Sequence, residues 1–176
     1  MLFHSPEFVL TMLLTLLFYW LFPRARTPVL AVANIVFYAA SGLQYLLLFL
    51  ALSALTYGLS RAIARGIRPR LLMVIGVVAN LLNLVIFKYT AFAISNLERL
   101  LHLGLDPGVF QLLLPVGISF YTFQLVAYLV DVYRGQVPPA RSLAEFWVFI
   151  AFFGQLIAGP IMRAEDFLPQ VASQSR

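Results

Sequence analysis

Long apolar runs separated by short clusters of arginine are the feature that most constrains how this chain can fold. Hydrophobic residues make up 62% of the 176 residues and charged residues only 11%, whereas soluble domains carry about 25% charged residues. A run of about 20 apolar residues can cross a bilayer as one helix. The sequence therefore predicts an integral membrane protein, and a soluble enzyme is excluded.

The absence of cysteine and the net charge of +5 narrow the possible functions further. Without cysteine, the chain holds no disulfide, thiolate metal site, iron–sulfur cluster or cysteine nucleophile. A basic chain often binds nucleic acid, but most of these arginines flank apolar runs, where the positive-inside rule accounts for them. We therefore expect membrane lipid as the surroundings and no nucleic-acid partner.

The apolar pattern predicts an all-α, polytopic fold in which residues 1–176 form one membrane domain. A turn at Ser41 and Gly42 divides the longest apolar stretch, because two crossings keep the basic clusters on either side of it on one face of the membrane. The expected elements are five transmembrane helices and one re-entrant or kinked hairpin, near residues 8–22, 28–41, 43–60, 71–88, 112–132 and 146–162.

The distribution of basic residues predicts the orientation in the membrane. With those spans, only Lys88 and Arg99 lie on the outer side. Eight arginines lie on the cytoplasmic side: Arg24, Arg26, Arg61, Arg65, Arg68, Arg70, Arg134 and Arg141. Because cytoplasmic segments are enriched in Lys and Arg, we expect an extracytoplasmic amino terminus.

A polar stripe marks the fifth predicted span. Tyr121, Gln124, Tyr128 and Asp131 follow one another at spacings of three, four and three, which places them on one helical face. Such a stripe either forms hydrogen bonds to a neighbouring helix or lines a water-accessible cavity that Asp131 helps to hydrate. Asp131 and Arg134 are also spaced to form an ion pair.

The last apolar run combines Gln155 with Gly159 and Pro160, residues that interrupt a regular helix. Such a break occurs both at substrate pathways and in kinked spans packed against neighbours, and the sequence leaves both alternatives open. No catalytic triad, pair of carboxylates, metal-ligand spacing or phosphate-binding glycine loop is present. The residues alone thus predict a multi-span protein with a polar pathway, and neither a catalytic residue nor a metal site.

Two longer motifs add a family resemblance. LPVGISFYTFQLVAYLVDVYRG (114–135) and FFGQLIAGPIMRAEDFLPQ (152–170) resemble the membrane-bound O-acyltransferase family, in its bacterial branch typified by alginate O-acetylases and D-alanyl transfer proteins. MLFHSPEFVL, FYAASGLQYLLLF and FKYTAF resemble that branch too, so the resemblance extends over nearly the whole chain. The positions that match the first motif are Pro115, Gly117, Ser119, Phe120, Thr122, Phe123, Gln124, Tyr128, Asp131, Tyr133 and Arg134. Those that match the second are Gln155, Gly159, Pro160 and Arg163.

The resemblance implies a many-helix enzyme of the bacterial inner membrane. Such an enzyme moves an acyl group, here expected to be acetyl, from a cytoplasmic donor such as acetyl-CoA or an acyl carrier protein. The acceptor is a hydroxyl of an exported polysaccharide or cell-wall polymer, often reached through an extracytoplasmic partner protein. No tightly bound cofactor is implied. The residues expected to shape the cytoplasmic funnel are Gln124, Tyr128, Asp131, Tyr133, Arg134, Gln155, Gly159, Pro160 and Arg163.

The chain also departs from the family pattern. The family's catalytic histidine lies in a carboxyl-terminal apolar region, and neither His4 nor His102 matches that position. We therefore expect an amino-terminal portion, inactive alone, that needs its missing half or a second subunit. The alternatives are a split-enzyme subunit or a non-catalytic scaffold. A small transporter ranks below these, because transporters often contain repeats with paired broken helices and this sequence has one broken run and no repeat.

Overall fold

The computed structural model describes residues 6–101, 115–156 and 162–174. These ranges are helical and contain no strand, which confirms the predicted all-α class. A short 3-10 turn, Pro23–Ala25, joins the first two helices. The helices are α1 (Pro6–Leu21), α2 (Arg26–Ala39), α3 (Leu43–Ala64), α4 (Pro69–Leu101), α5 (Ile118–Tyr133), α6 (Leu143–Ala151), α7 (Phe153–Leu156) and α8 (Ala164–Gln174).

Two of the described helices are long and apolar enough to cross a membrane: α3, and α4 over Pro69–Thr90. Each of these segments has 22 residues and rises about 33 Å, enough for about 30 Å of hydrocarbon. α1 and α2 qualify as a third span only when taken together, and the chain bends by 117° between them. The structure thus supports a polytopic membrane protein, while the five crossings stay a prediction.

The α6 helix lies at the centre of the fold, where every residue from Glu145 to Ala151 is buried. A helix that is apolar all round requires neighbours on all sides, and α2, α3, α5 and α8 supply them. Aromatic rings fill the contacts. Phe49 of α3 stacks on Tyr121 of α5 at 4.2 Å between ring centroids, and lies 4.9 Å from Trp147 of α6.

Close approach of α4 to its neighbours depends on Gly76. A Cβ atom there would lie 2.5 Å from Leu129 Cδ1 of α5 and 2.9 Å from Leu59 Cδ1 of α3. Small residues at such positions let membrane helices pack tightly. One turn further along α4, the Asn80 amide donates hydrogen bonds to Thr56 Oγ1 of α3 at 3.2 Å and to the Gly76 carbonyl at 2.8 Å.

The last apolar run is broken at Phe152, whose ψ of 105° ends α6. The next residue begins α7, and its backbone N–H donates to Asn34 Oδ1 of α2 at 3.2 Å. Asn34 is fully buried, so it supplies an acceptor that the interrupted helix cannot provide. The predicted break at Gly159 and Pro160 lies outside the described residues.

Candidate functional site

The polar stripe of α5 runs from the interior of the bundle to one of its ends. Tyr121, Gln124 and Tyr128 are 0%, 2% and 1% exposed, and Asp131 is half-buried. The predicted shared face is therefore inward, and Asp131 lines a cavity at its end. The stripe is therefore closely packed at Tyr121, Gln124 and Tyr128 and reaches an opening at Asp131.

Gln124 lies in the closed part and has no hydrogen-bond partner among the described residues. Neither its amide nitrogen nor its carbonyl oxygen is bonded to any described residue, and both atoms are inaccessible. An unsatisfied buried amide costs about 1–3 kcal/mol. Hydrogen bonding to a neighbouring helix, one of the two interpretations of the stripe, thus does not account for Gln124.

Tyr128 does bond to a neighbouring helix, and it also holds a loop. Its hydroxyl lies 3.2 Å from Ser60 Oγ of α3, and Ser60 donates its own proton to the Tyr57 carbonyl at 2.8 Å. Tyr128 is therefore the donor to Ser60, and its oxygen accepts the Ala140 N–H at 3.0 Å. This chain of bonds fastens the α5–α6 loop to α3.

Replacing Tyr128 by phenylalanine is expected to loosen the α5–α6 loop. The buried Ala140 N–H would lose its acceptor, at a cost of about 1–3 kcal/mol, while the ring contacts with Phe146 stay in place. Hydrogen exchange of the backbone amides over 135–141 should become faster. Tyr133→Phe is the matched control, because Tyr133 is exposed; equal exchange in both variants would contradict the role assigned to Tyr128.

A glycine and a serine N-cap fix the two ends of that loop. Gly135, at φ +71°, ends α5, and the next N–H, of Gln136, bonds to the Asp131 carbonyl at 2.9 Å, a typical glycine helix end. At the start of α6, Ser142 Oγ accepts the Glu145 N–H at 3.1 Å, and buried Glu145 accepts the Arg141 N–H at 2.8 Å. Glu145 was not among the residues predicted from the sequence, although S-x-x-E before an apolar run is a readable signal.

The two family motifs meet at a polar cavity of about 240 Å³ that is partly lined by this loop. Asp131 of the first motif and Arg163 of the second both line it, and Gln136, Val137 and Glu165 complete the lining. A carboxylate and a guanidinium facing one small cavity can hold water or orient a polar group by charge-assisted hydrogen bonds. This cavity is the candidate site.

The other predicted site residues lie in different places. Tyr133 and Arg134 are exposed at the end of α5, and Tyr133 lines a separate cavity of about 470 Å³ with Ala64 and Pro69. Gln155 is buried in α7. Gly159 and Pro160 fall outside the described residues, so no geometry is assigned to them. In the described ranges no three His, Cys, Asp or Glu side chains are grouped as metal ligands.

Basic residues surround this end of the bundle. Two cavities flank the α5–α6 loop. Their walls come from the last turn of α3, the first residues of α4, the end of α5 and the starts of α6 and α8. The same segments also carry four acids, Asp131, Glu145, Glu165 and Asp166, against seven arginines, and a net positive end raises the local concentration of an anionic ligand. The arginines in or next to these segments are Arg61, Arg65, Arg68, Arg70, Arg134, Arg141 and Arg163.

Comparison with known proteins identifies bacterial relatives. The chain is 39% identical over 160 residues to the "Probable alginate O-acetylase AlgI" of Pseudomonas aeruginosa, covering 88% of this chain and 31% of that protein. It is 39% identical to the protein of that name in Azotobacter vinelandii, covering 97% and 36%. It is 30% identical to the "Peptidoglycan O-acetyltransferase" of Helicobacter pylori, covering 97% and 38%.

The relatives are thus similar along most of this chain, and the chain spans about a third of their length. No family model matches the chain, and no solved structure is significantly similar to it. The residue motifs and the relatives indicate the same family. The chain is a homologue of the alginate O-acetylases of the membrane-bound O-acyltransferase family, over about a third of their length.

Proposed function

We propose that this chain forms the amino-terminal part of a membrane O-acyltransferase that acetylates hydroxyls of an exported polysaccharide or cell-wall polymer. Two kinds of relative support the reaction, because their names specify alginate and peptidoglycan as acetylated polymers. The apolar helices support a reaction at a membrane. The proposed location is the inner membrane of a bacterium, and the proposed orientation has the basic end of the bundle in the cytoplasm and the amino terminus outside.

The observation that carries this proposal is the cavity shared by Asp131 and Arg163. These residues come from motifs that are separate in sequence, and the fold brings both to the end of the bundle that carries the arginine rim. An acyl donor such as acetyl-CoA or an acyl carrier protein is anionic, and a basic rim favours its approach. The proposed role of this end is to admit the donor, and the extracytoplasmic partner protein and polymer act on the opposite side.

The general base is proposed to come from outside these 176 residues. His4 and His102 are the two histidines of the sequence; neither matches the family position, and both lie outside the described residues. A positioned base contributes a factor of about 100 to 10,000 to a reaction of this kind. We therefore propose that these residues alone do not transfer an acyl group, and that the base belongs to the remainder of a longer enzyme or to a second subunit.

A hybrid enzyme tests this function. The aligned segment of the Pseudomonas aeruginosa alginate O-acetylase is replaced by this chain in a strain lacking its own enzyme, and ester-linked acetate on secreted alginate is measured. We expect the hybrid to restore acetylation and the chain alone to give none. A hybrid that reaches the membrane at normal levels yet leaves alginate unacetylated would contradict the proposal and favour the scaffold alternative.

A further inference from the structure

Four buried polar atoms without a described partner lie at the interface of α4 and α5, apart from the Asp131 cavity. They are Asn80 Oδ1, Asn83 Nδ2, Tyr121 Oη and Thr122 Oγ1. The four residues are only 0–8% exposed, so bulk solvent does not reach them. Because buried polar groups are nearly always hydrogen-bonded, four such atoms at one interface require a common explanation.

Two contacts show that α4 and α5 pack side by side in opposite directions. Gly76 of α4 lies against Leu129 of α5. Further along α4, Asn83 lies beside the Tyr121 hydroxyl, although not in hydrogen-bond geometry. Tyr121 precedes Leu129 in sequence, so advancing along α4 corresponds to moving back along α5, as in an antiparallel pair.

The unpartnered atoms belong to the faces through which the two helices touch. Residues seven apart lie on nearly the same helical face, about 10 Å from each other along the axis. Asn83 follows Gly76 by seven residues, and Thr122 precedes Leu129 by seven residues. Both therefore lie at the same level, two turns from the Gly76–Leu129 contact. Asn80 lies on the same face of α4, one turn before Asn83.

The hydrogen bonds of Asn80 restrict what can occupy this site. Its amide nitrogen donates to Thr56 of α3 and to the Gly76 carbonyl, so its oxygen is the free atom and requires a donor. The other three atoms are an amide nitrogen, which donates, and two hydroxyls, which both donate and accept. All four groups are uncharged, and an ion at membrane depth without a counter-charge is costly. The occupant is therefore neutral and small, and it both donates and accepts hydrogen bonds.

The site also lies deep in the membrane-spanning part, since Asn80 is near the middle of the 22-residue span Pro69–Thr90. A buried water makes about three hydrogen bonds to groups that are otherwise unsatisfied. We propose that ordered water binds to these four atoms and bridges α4 and α5. Gln124 is not part of this site, because it lies about 200° from Thr122 around α5. The site is independent of the acyl-transfer proposal.

Hydroxyl-radical footprinting with an X-ray pulse tests the site in the purified full chain. The radicals form from water, so a buried tyrosine beside bound water is oxidised directly, whereas one in dry surroundings reacts only after local opening of the fold. Tyr38 and Tyr128 are internal controls, because both are 1% exposed and both hydroxyls bond within the protein. We expect Tyr121 to be oxidised roughly tenfold faster than either control. Equally slow oxidation of all three tyrosines would overturn the proposal.

Variants test whether the water depends on the named atoms. Thr122→Val removes one hydroxyl and should slow the oxidation of Tyr121, and adding Asn83→Leu should lower it to the level of the two control tyrosines. Thr15→Val is the matched control and should leave Tyr121 oxidation unchanged, because Thr15 is also buried but its hydroxyl donates within α1. Unchanged rates at the control tyrosines verify the fold. Fast oxidation of Tyr121 that persists in both the single and the double variant would overturn the proposal.

Discussion

Replacing Gln124 by leucine is expected to stabilise the protein, and replacing Asn80 by leucine to destabilise it. Both are buried amides of the same helical bundle, at 2% and 0% exposure, so the two substitutions remove similar groups. They differ in hydrogen bonding. The Asn80 amide nitrogen donates to Thr56 and Gly76 and only its oxygen has no described partner, whereas neither amide atom of Gln124 has one.

The expected magnitudes follow from that difference. Removing the unsatisfied Gln124 amide should raise the free energy of unfolding by about 1–3 kcal/mol. Removing Asn80 should lower it by about 0.6 kcal/mol, the average for a hydrogen bond between membrane helices, because the Thr56 bond joins α4 to α3 whereas the Gly76 bond lies within α4. Unfolding by a denaturing detergent, followed by circular dichroism, measures both. A Gln124→Leu variant that loses as much stability as Asn80→Leu would contradict the description of Gln124 as unsatisfied.

Gln124 is one of several described residues with a buried polar atom that lacks a partner, among them Ser53 and Thr122, but both of its amide atoms are affected. Strained or unsatisfied groups concentrate at functional sites, and Gln124 lies two helical turns from Asp131 on the same face of α5. The stripe therefore contains Tyr128, whose hydroxyl bonds to Ser60 and Ala140, and Gln124, whose amide bonds to no described residue. This division favours a polar pathway that starts at the Asp131 cavity.

Periodicity predicted the inward face of α5, but it did not predict the partners of that face. The spacing of Tyr121, Gln124 and Tyr128 is a local property, and all three are buried as the pattern indicates. Ser60, in contrast, is 68 residues from Tyr128 in sequence. Only the packing of α3 against α5 brings them together, so the loop-holding role of Tyr128 is a property of the tertiary structure.

Helix ends were harder to predict than helix faces. The apolar run near 71–88 ends at Lys88, but α4 continues to Leu101, because charged residues end an apolar run without ending a helix. The break at Phe152 has no helix-breaking residue of its own. The break depends on buried Asn34 of another helix, which accepts the Phe153 N–H. Asn34 is more than 100 positions away in sequence, so no local pattern could predict the break.

We propose that the cavity where the two motifs meet is hydrated and opens to the cytoplasm. Single cysteines test it most directly, since the chain has no cysteine of its own. Cysteine is introduced at position 124, 128, 131 or 163, and a membrane-impermeant thiol reagent is added to inside-out or right-side-out vesicles.

We expect fast labelling at 131 and 163 in inside-out vesicles only. Labelling at 124 and 128 should be more than about tenfold slower, because reaction at a buried position requires local opening of the fold. The differing exposures of Tyr128 and Asp131 within one turn of α5 make this contrast sharp. Complete protection at both 131 and 163, or labelling of both only in right-side-out vesicles, would contradict a cytoplasmic cavity shared by the two motifs.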